Sequence, residues 1–192
     1  MILATEGVCT RCVLDYLSSL EWVTGIALYG RSMGAATALL VASSDRYYHK
    51  VAGMVLDSCY TSVRTVMRDL AEGLVGKVPL LPVSTVVEST IDVLRDAVME
   101  RAGFDIDMLD VVSSAQHCHV PVLMAHAEGD ELVQQQHSTR LMEEYGGPKT
   151  AVVFPGGGHN SLRPETFGPK AAAFLEECFR VKEREDKGLK VG

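Results

Sequence analysis

Long apolar runs are missing from this chain of 192 residues: none approaches the roughly 18 residues that carry a helix across a bilayer. Glu6, Arg11 and Asp15 break up the first 20 residues, so no secretory signal is expected and the expected location is cytoplasmic. Positive charge is also scarce. Eighteen Lys and Arg stand against 25 Asp and Glu, a formal net charge of −7, which argues against nucleic acid or an anionic membrane as a partner. A small, weakly charged or apolar ligand fits better. The five cysteines (Cys9, Cys12, Cys59, Cys118, Cys178) are odd in number and scattered, which excludes a disulfide framework and suits reduced thiols. Cys9 and Cys12 fall in the helical pattern Val8, Cys12, Tyr16, Leu17, Leu20 and are expected to pack a helix face. His117, Cys118 and His119 lack a second ligand group at zinc spacing, so they read as a loop or the lead into a strand, and no metal or cofactor is expected. No internal repeat is present.

What is there is an ordinary globular composition, 47% hydrophobic and 22% charged, enough for one domain with a buried core. Apolar residues every three or four positions predict a helix over 4–20. VTGIALY (23–29) is a short continuous run that suits a strand buried on both faces, and the Ala- and Leu-rich 34–44 suits a helix. VAGMVL (51–56) is a second strand. Helices are then expected at 61–75 and 84–102, joined by the kinked KVPLLP, as a cap lying outside the sheet. VPVLMAHA (120–127) and TAVVF (150–154) resume the strands, with helices over 134–145 and 166–181 and a frayed, charged tail. The expected class is α/β, with a predominantly parallel sheet of about four strands and a helical cap insertion. The divisions are 1–58, a cap at 59–119, 120–182, and a tail at 183–192.

LYGRSMGAA (28–36) places Ser32 between Gly30 and Gly34, where a strand turns sharply into a helix. Flanking glycines remove side chains that would collide at such a bend. With 17 glycines in the chain, Gly-x-Ser-x-Gly is easily met by chance. Its context adds weight, because Asp130 follows the third strand in HAEGDELV and His159 follows the fourth in PGGGHNS. Residues just beyond the carboxyl ends of parallel strands converge on one crevice. Serine is a poor nucleophile until an imidazole takes its proton, and a carboxylate on the other ring nitrogen fixes the tautomer. Ser32, His159 and Asp130 are the expected nucleophile, base and acid. Taken singly, Asp130 reads as a turn or cap residue and His159 as a surface loop residue; Asp57, which also ends a strand, is the alternative acid.

LYGRSMGA, VAGMVLDS, FDIDMLDVV leading into HVPVLMAHAEGDELVQQQHS, and GGGHNSLRPETF together resemble the α/β-hydrolase superfamily, in particular the plant and protist group called serine aminopeptidase-like or Bem46-like. The resemblance covers most of residues 5–180. It implies Ser32 as nucleophile, His159 as base, Asp130 as acid and the Met33 backbone amide as an oxyanion donor. It also implies hydrolysis of an ester, thioester or amide of a small to medium acyl substrate through an acyl-enzyme.

Family sheets usually have eight strands with the nucleophile after the fifth, whereas here only one helix precedes VTGIALY. The first four strands, and the loop that gives the second oxyanion amide, are therefore expected to be missing. Loss of one such donor costs about 10² to 10³ in rate. The edge of residues 23–29 has no proline or lysine to protect it and is expected either to belong to a longer protein or to self-associate. The competing expectation is a catalytically weak or inactive hydrolase-like binding domain.

Overall fold

The computed structural model describes residues 2–75, 83–103 and 105–188. Four strands, β1 (Ile26–Arg31), β2 (Val51–Asp57), β3 (Val122–Ala127) and β4 (Lys149–Phe154), form one parallel sheet in that spatial order. Every residue of β2 and β3 is buried. Alternate side chains explain why. Met54, Leu56, Val122 and Met124 enter a core shared with α1 (Ile2–Ser18), α2 (Met33–Ala42), α5 (Val111–His117) and α6 (Gln135–Glu144). Val55, Leu123 and Ala125 enter a second core under α7 (Phe167–Asp186), with Phe154, Phe167 and Ala171. Two covered faces favour apolar side chains, hence the near-continuous apolar runs; the polar residues in these strands, Asp57 and His126, lie toward their carboxyl ends, and both are buried.

The small residues of α2 serve the same packing. Ala35, Ala36, Ala38 and Ala42 are all buried, so this helix lies close on the sheet. Within the stretch expected as a cap, α3 (Val63–Val75) and α4 (Val83–Ala102) pack on a separate small core of Val87, Ile91 and Ile106, while α5 sends Val111 and Ala115 into the main core. A 3-10 turn at Ile106–Met108 and the seven-residue α5 were not apparent as separate elements; both start from an aspartate, Asp105 and Asp110, that caps the next amides. KVPLLP, residues 77–82, lies outside the described residues.

Several expectations need correcting. The first strand is 26–31 rather than 23–29, and it is only partly buried because it is the edge of the sheet, with β2 on one side. Cys9 and Cys12 are exposed, not packed: α1 presents Leu14 to the core and turns the two thiols away from it. His117 closes α5, and Cys118 behind it is fully buried. The last helix runs to Asp186, five residues past its expected end, with Lys182–Asp186 and Lys187–Glu183 pairs one turn apart along it. Among the described residues no helix is long and apolar enough to cross a membrane.

Candidate functional site

The ladder of the sheet continues one residue past β1, β2 and β3. The Ser32 amide donates to the Asp57 carbonyl (2.8 Å), the Ser58 amide to Ala125 (2.9 Å) and the Glu128 amide to Phe154 (3.0 Å). The loops that follow β1 to β4 therefore start side by side on one rim. β1 ends at Arg31 and α2 begins at Met33, so Ser32 alone makes the bend, with φ 53° and ψ −117°. That is a strained conformation for a residue with a Cβ, of the kind that persists where the surroundings impose it. The Ser32 hydroxyl makes no capping bond to α2. Met33, just behind it, opens the helix, whose first amides have no partner within the helix.

Asp130 and His159 come together across 29 residues. Nδ1 of His159 lies 2.8 Å from Oδ2 and 3.0 Å from Oδ1 of Asp130. A carboxylate only accepts, so Nδ1 carries the proton and Nε2 is left as a base. The aspartate side chain is wholly buried and the imidazole 11% exposed, which puts His159 between the carboxylate and solvent. Asp130 is also the cap its local sequence suggests, since Oδ1 accepts the amides of Leu132 (3.1 Å) and Val133 (2.9 Å). Oδ2 accepts the Ser58 hydroxyl at 2.8 Å. Burial by itself would raise the pKa of Asp130; the Val133 amide, His159 and Ser58 outweigh it and hold the carboxyl below its ordinary value.

Arginines tie the histidine loop to the elbow. Arg31, next to Ser32, donates from Nη2 to the carbonyls of His159 and Ser161, the latter at 3.2 Å. Arg163 donates from Nη1 to the Gly158 carbonyl (3.2 Å) and grips Asp57 with Nε and Nη2, each at 2.9 Å. Asp57, the alternative acid, thus faces Arg163, with Arg31 Nε at 3.6 Å, and not His159. Gly156 and Gly157 both have left-handed φ, 68° and 74°, which a glycine run permits without strain. Among the described residues no hydrogen bond joins Ser32 to His159; they are neighbours through Arg31. Such bonds are commonly long before substrate binds.

Ser58, Arg31 and Arg163 were not singled out from the sequence, although all three lie inside the quoted strings VAGMVLDS, LYGRSMGA and GGGHNSLRPETF. Two further histidines are buried beside this rim. His126 donates from Nε2 to the Val133 carbonyl at 2.8 Å, and His137 takes the Thr61 hydroxyl on Nδ1 at 2.8 Å, with Nε2 3.0 Å from Asp69. Burial lowers the pKa of both. His137, Thr61, Arg64, Asp107, Asp110 and Arg140 help to line a cavity of about 600 Å3 between α3 and the pair α5 and α6. Neither Ser32 nor His159 lines it.

Two proteins of Mycobacterium tuberculosis, from different strains and each described as uncharacterized, are 30% identical to this chain over 156 residues. The match takes in 76% of this chain and 44% of theirs, so the chain spans less than half the length of these curated relatives. Among solved structures, Est1E from Butyrivibrio proteoclasticus superimposes with a TM-score of 0.64 at 18% identity, covering 93% of this chain and 71% of that one. Acetyl xylan esterase 1 from Thermoanaerobacterium gives 0.63 at 20% identity, covering 90% and 52%. Monoacylglycerol lipase from Paleococcus ferrophilus gives 0.58 at 19% identity, covering 93% and 75%. At those identities the likeness speaks for an α/β-hydrolase fold. The family described as BAAT / Acyl-CoA thioester hydrolase C terminal matches residues 13–177, from the middle of α1 through the whole sheet into α7. On that match, which takes in the elbow and both loops that meet at Asp130, the chain belongs to the BAAT / acyl-CoA thioester hydrolase C-terminal family.

Proposed function

We propose that the chain carries a serine hydrolase site for an ester, thioester or amide of a small to medium acyl group, with Ser32 as nucleophile, His159 as base and Asp130 as acid. The observation that carries this reading is the bond from His159 Nδ1 to the buried Asp130 carboxylate, on a loop fastened to the residue beside Ser32. His159 Nε2 takes the Ser32 proton as Oγ attacks the acyl carbon, and Asp130 stabilises the imidazolium that results. The Met33 amide donates to the oxyanion. The tetrahedral intermediate collapses as His159 returns the proton to the leaving oxygen, sulfur or nitrogen. Water then repeats the sequence on the acyl-serine. The family description favours a thioester, and the esterases and the lipase of like fold favour an oxygen ester. The finer resemblance to the serine aminopeptidase-like group adds the amide.

A fluorophosphonate probe tests the reading, because it phosphonylates only an activated serine. Wild-type protein is expected to label, and Ser32→Ala to lose labelling by about 10⁴-fold or more. Labelling that survives Ser32→Ala overturns the assignment. A second reading, a hydrolase-like domain with weak or no catalysis, is favoured by the lone position of β1, which has no strand on its far side among the described residues. Folded wild-type protein that does not label supports this second reading. Esters and acyl-CoA thioesters of rising chain length then address the substrate.

A further inference from the structure

Only two described residues with a Cβ hold φ in the left-handed region, Ser32 and Ser58, both at 53°. Each stands one place after the end of its strand. Ser32 has its role in the proposed chemistry; Ser58, fully buried, has none so far. Its surroundings are polar and closely spaced. Oγ of Ser58 lies 2.8 Å from Asp130 Oδ2, 3.0 Å from Arg163 Nη2 and 3.4 Å from Asp57 Oδ1. A guanidinium only donates, so the hydroxyl accepts from Arg163 and has one proton left for a carboxylate. The shorter contact gives that proton to Asp130. Arg163 is itself fixed by its two-pronged grip on Asp57 and also braces the carbonyl of Gly158, the residue before His159. A single guanidinium therefore orients the hydroxyl and steadies the histidine loop.

We propose that Ser58 is a positioning residue for the Asp130–His159 pair, its hydroxyl pinning the carboxylate oxygen that His159 meets and Arg163 setting the direction of that hydroxyl. The inference rests on the hydrolase reading for its effect on Ser32. Without the hydroxyl, Oδ2 loses a donor, so more negative charge faces the imidazole and the carboxylate is freer to rotate. The first change raises the pH at which His159 titrates. The second lowers the share of molecules with His159 held as a base. Other charged or titratable groups facing the pair are His126, with Nε2 3.7 Å from Asp130 Oδ2, Asp57, Arg163, and Arg31 on the His159 carbonyl.

Ser58→Gly separates this role from a structural one. Glycine accepts φ of 53° without strain, so the variant loses the hydroxyl while the backbone is relieved. The expected result is a melting temperature at or above wild type, fluorophosphonate labelling of Ser32 slower by about tenfold, and an acid limb of labelling moved to higher pH. Ser58→Ala keeps the strain and is expected to match Ser58→Gly in labelling while melting lower. NMR titration of the His159 ring in wild type and Ser58→Gly needs no reaction at Ser32: its midpoint is expected to rise in the variant. Should wild type fail to label, the hydrolase reading fails and the ring titration still decides the role of Ser58. An unchanged His159 midpoint, or labelling as fast as in wild type, overturns the proposal.

Discussion

Gly30 and Gly34 flank Ser32 symmetrically in the sequence, yet their surroundings differ. A Cβ on Gly30 would stand 2.3 Å from the Gly34 carbonyl oxygen and 2.6 Å from the Ala35 nitrogen, backbone atoms of the first turn of α2 that cannot yield without opening the elbow. A Cβ on Gly34 would meet nothing within 4 Å among the described residues, and its φ is not left-handed. The expected outcome is that Gly30→Ala destabilises by about 1 to 3 kcal/mol, as overpacking does, while Gly34→Ala, inside a helix, is neutral or stabilises by up to about 1 kcal/mol. Urea denaturation measures both, and equal costs would show that close approach is not what Gly30 provides. The pentapeptide motif does not separate these two glycines, because only one of them abuts another element. Ser32, Asp130 and His159 could be singled out for the opposite reason: each stands beyond the carboxyl end of a strand of one parallel sheet, where residues distant in the chain converge, and the structure brings Asp130 and His159 into contact. Ser58 and Arg163 act through partners at 57, 130 and 158, and no spacing in the chain encodes that meeting.

Elements buried on both faces were the most legible. β2 and β3 were expected within one or two residues of where they lie, since two-sided burial writes itself as an apolar run. β1 came out shifted by three residues at its start, because an edge strand carries partly exposed positions and a glycine and an arginine at its end. α3 and α4 were legible from periodicity, but not what holds them together. Arg64 pairs with Glu88 (3.1 Å), Asp92 (2.9 Å) and Asp107 (2.7 Å), and Arg95 with Asp105, whose carboxyl it pulls down to about 2. Beneath this network the fully buried residues, among those described, are Val87, Ile91 and Ile106. Ion pairs near the surface contribute little each, so the helical pair is expected to open at lower free energy than the sheet. Hydrogen exchange checks this: amides of α3 and α4 should exchange about tenfold or more faster than those of β2, and molar salt should speed the former alone. Equal protection would mean that the two helices and the sheet form one cooperative unit.

At the scale of the whole molecule, an open edge and a set of buried histidines govern behaviour in solution. Among the described residues β1 pairs on one side only, and Tyr29 on it, with Val13 and Tyr16 on α1, is more than half exposed. Light scattering is expected to give a mass above 20.8 kDa that rises with concentration, and Tyr29→Lys to lower it; a monomer at every concentration counts against edge pairing. Acid stability follows from His126 and His137, 1% and 2% exposed, whose pKa values burial lowers below the ordinary 6.5. Below pH 6.5 the unfolded chain takes up protons that the fold refuses, so stability falls as pH drops from there toward the folded values. Asp130 works lower down: its pKa is below 3.8 in the fold, so its contribution is complete above 3.8 and disappears only as pH falls through the folded value. Between pH 6.5 and about 5.5 the slope therefore belongs chiefly to the histidines, at up to about 2.7 kcal/mol per pH unit for two protons, and lower down carboxylates such as Glu88 and Glu183, held below their ordinary values, add to it. Urea denaturation at pH 7.5, 6 and 5 is expected to show the decline, with His137→Gln halving it. A flat profile would mean that both imidazoles charge as readily inside the fold as in water, which would require carboxylates such as Asp69, 3.0 Å from His137 Nε2, to offset the full cost of burial.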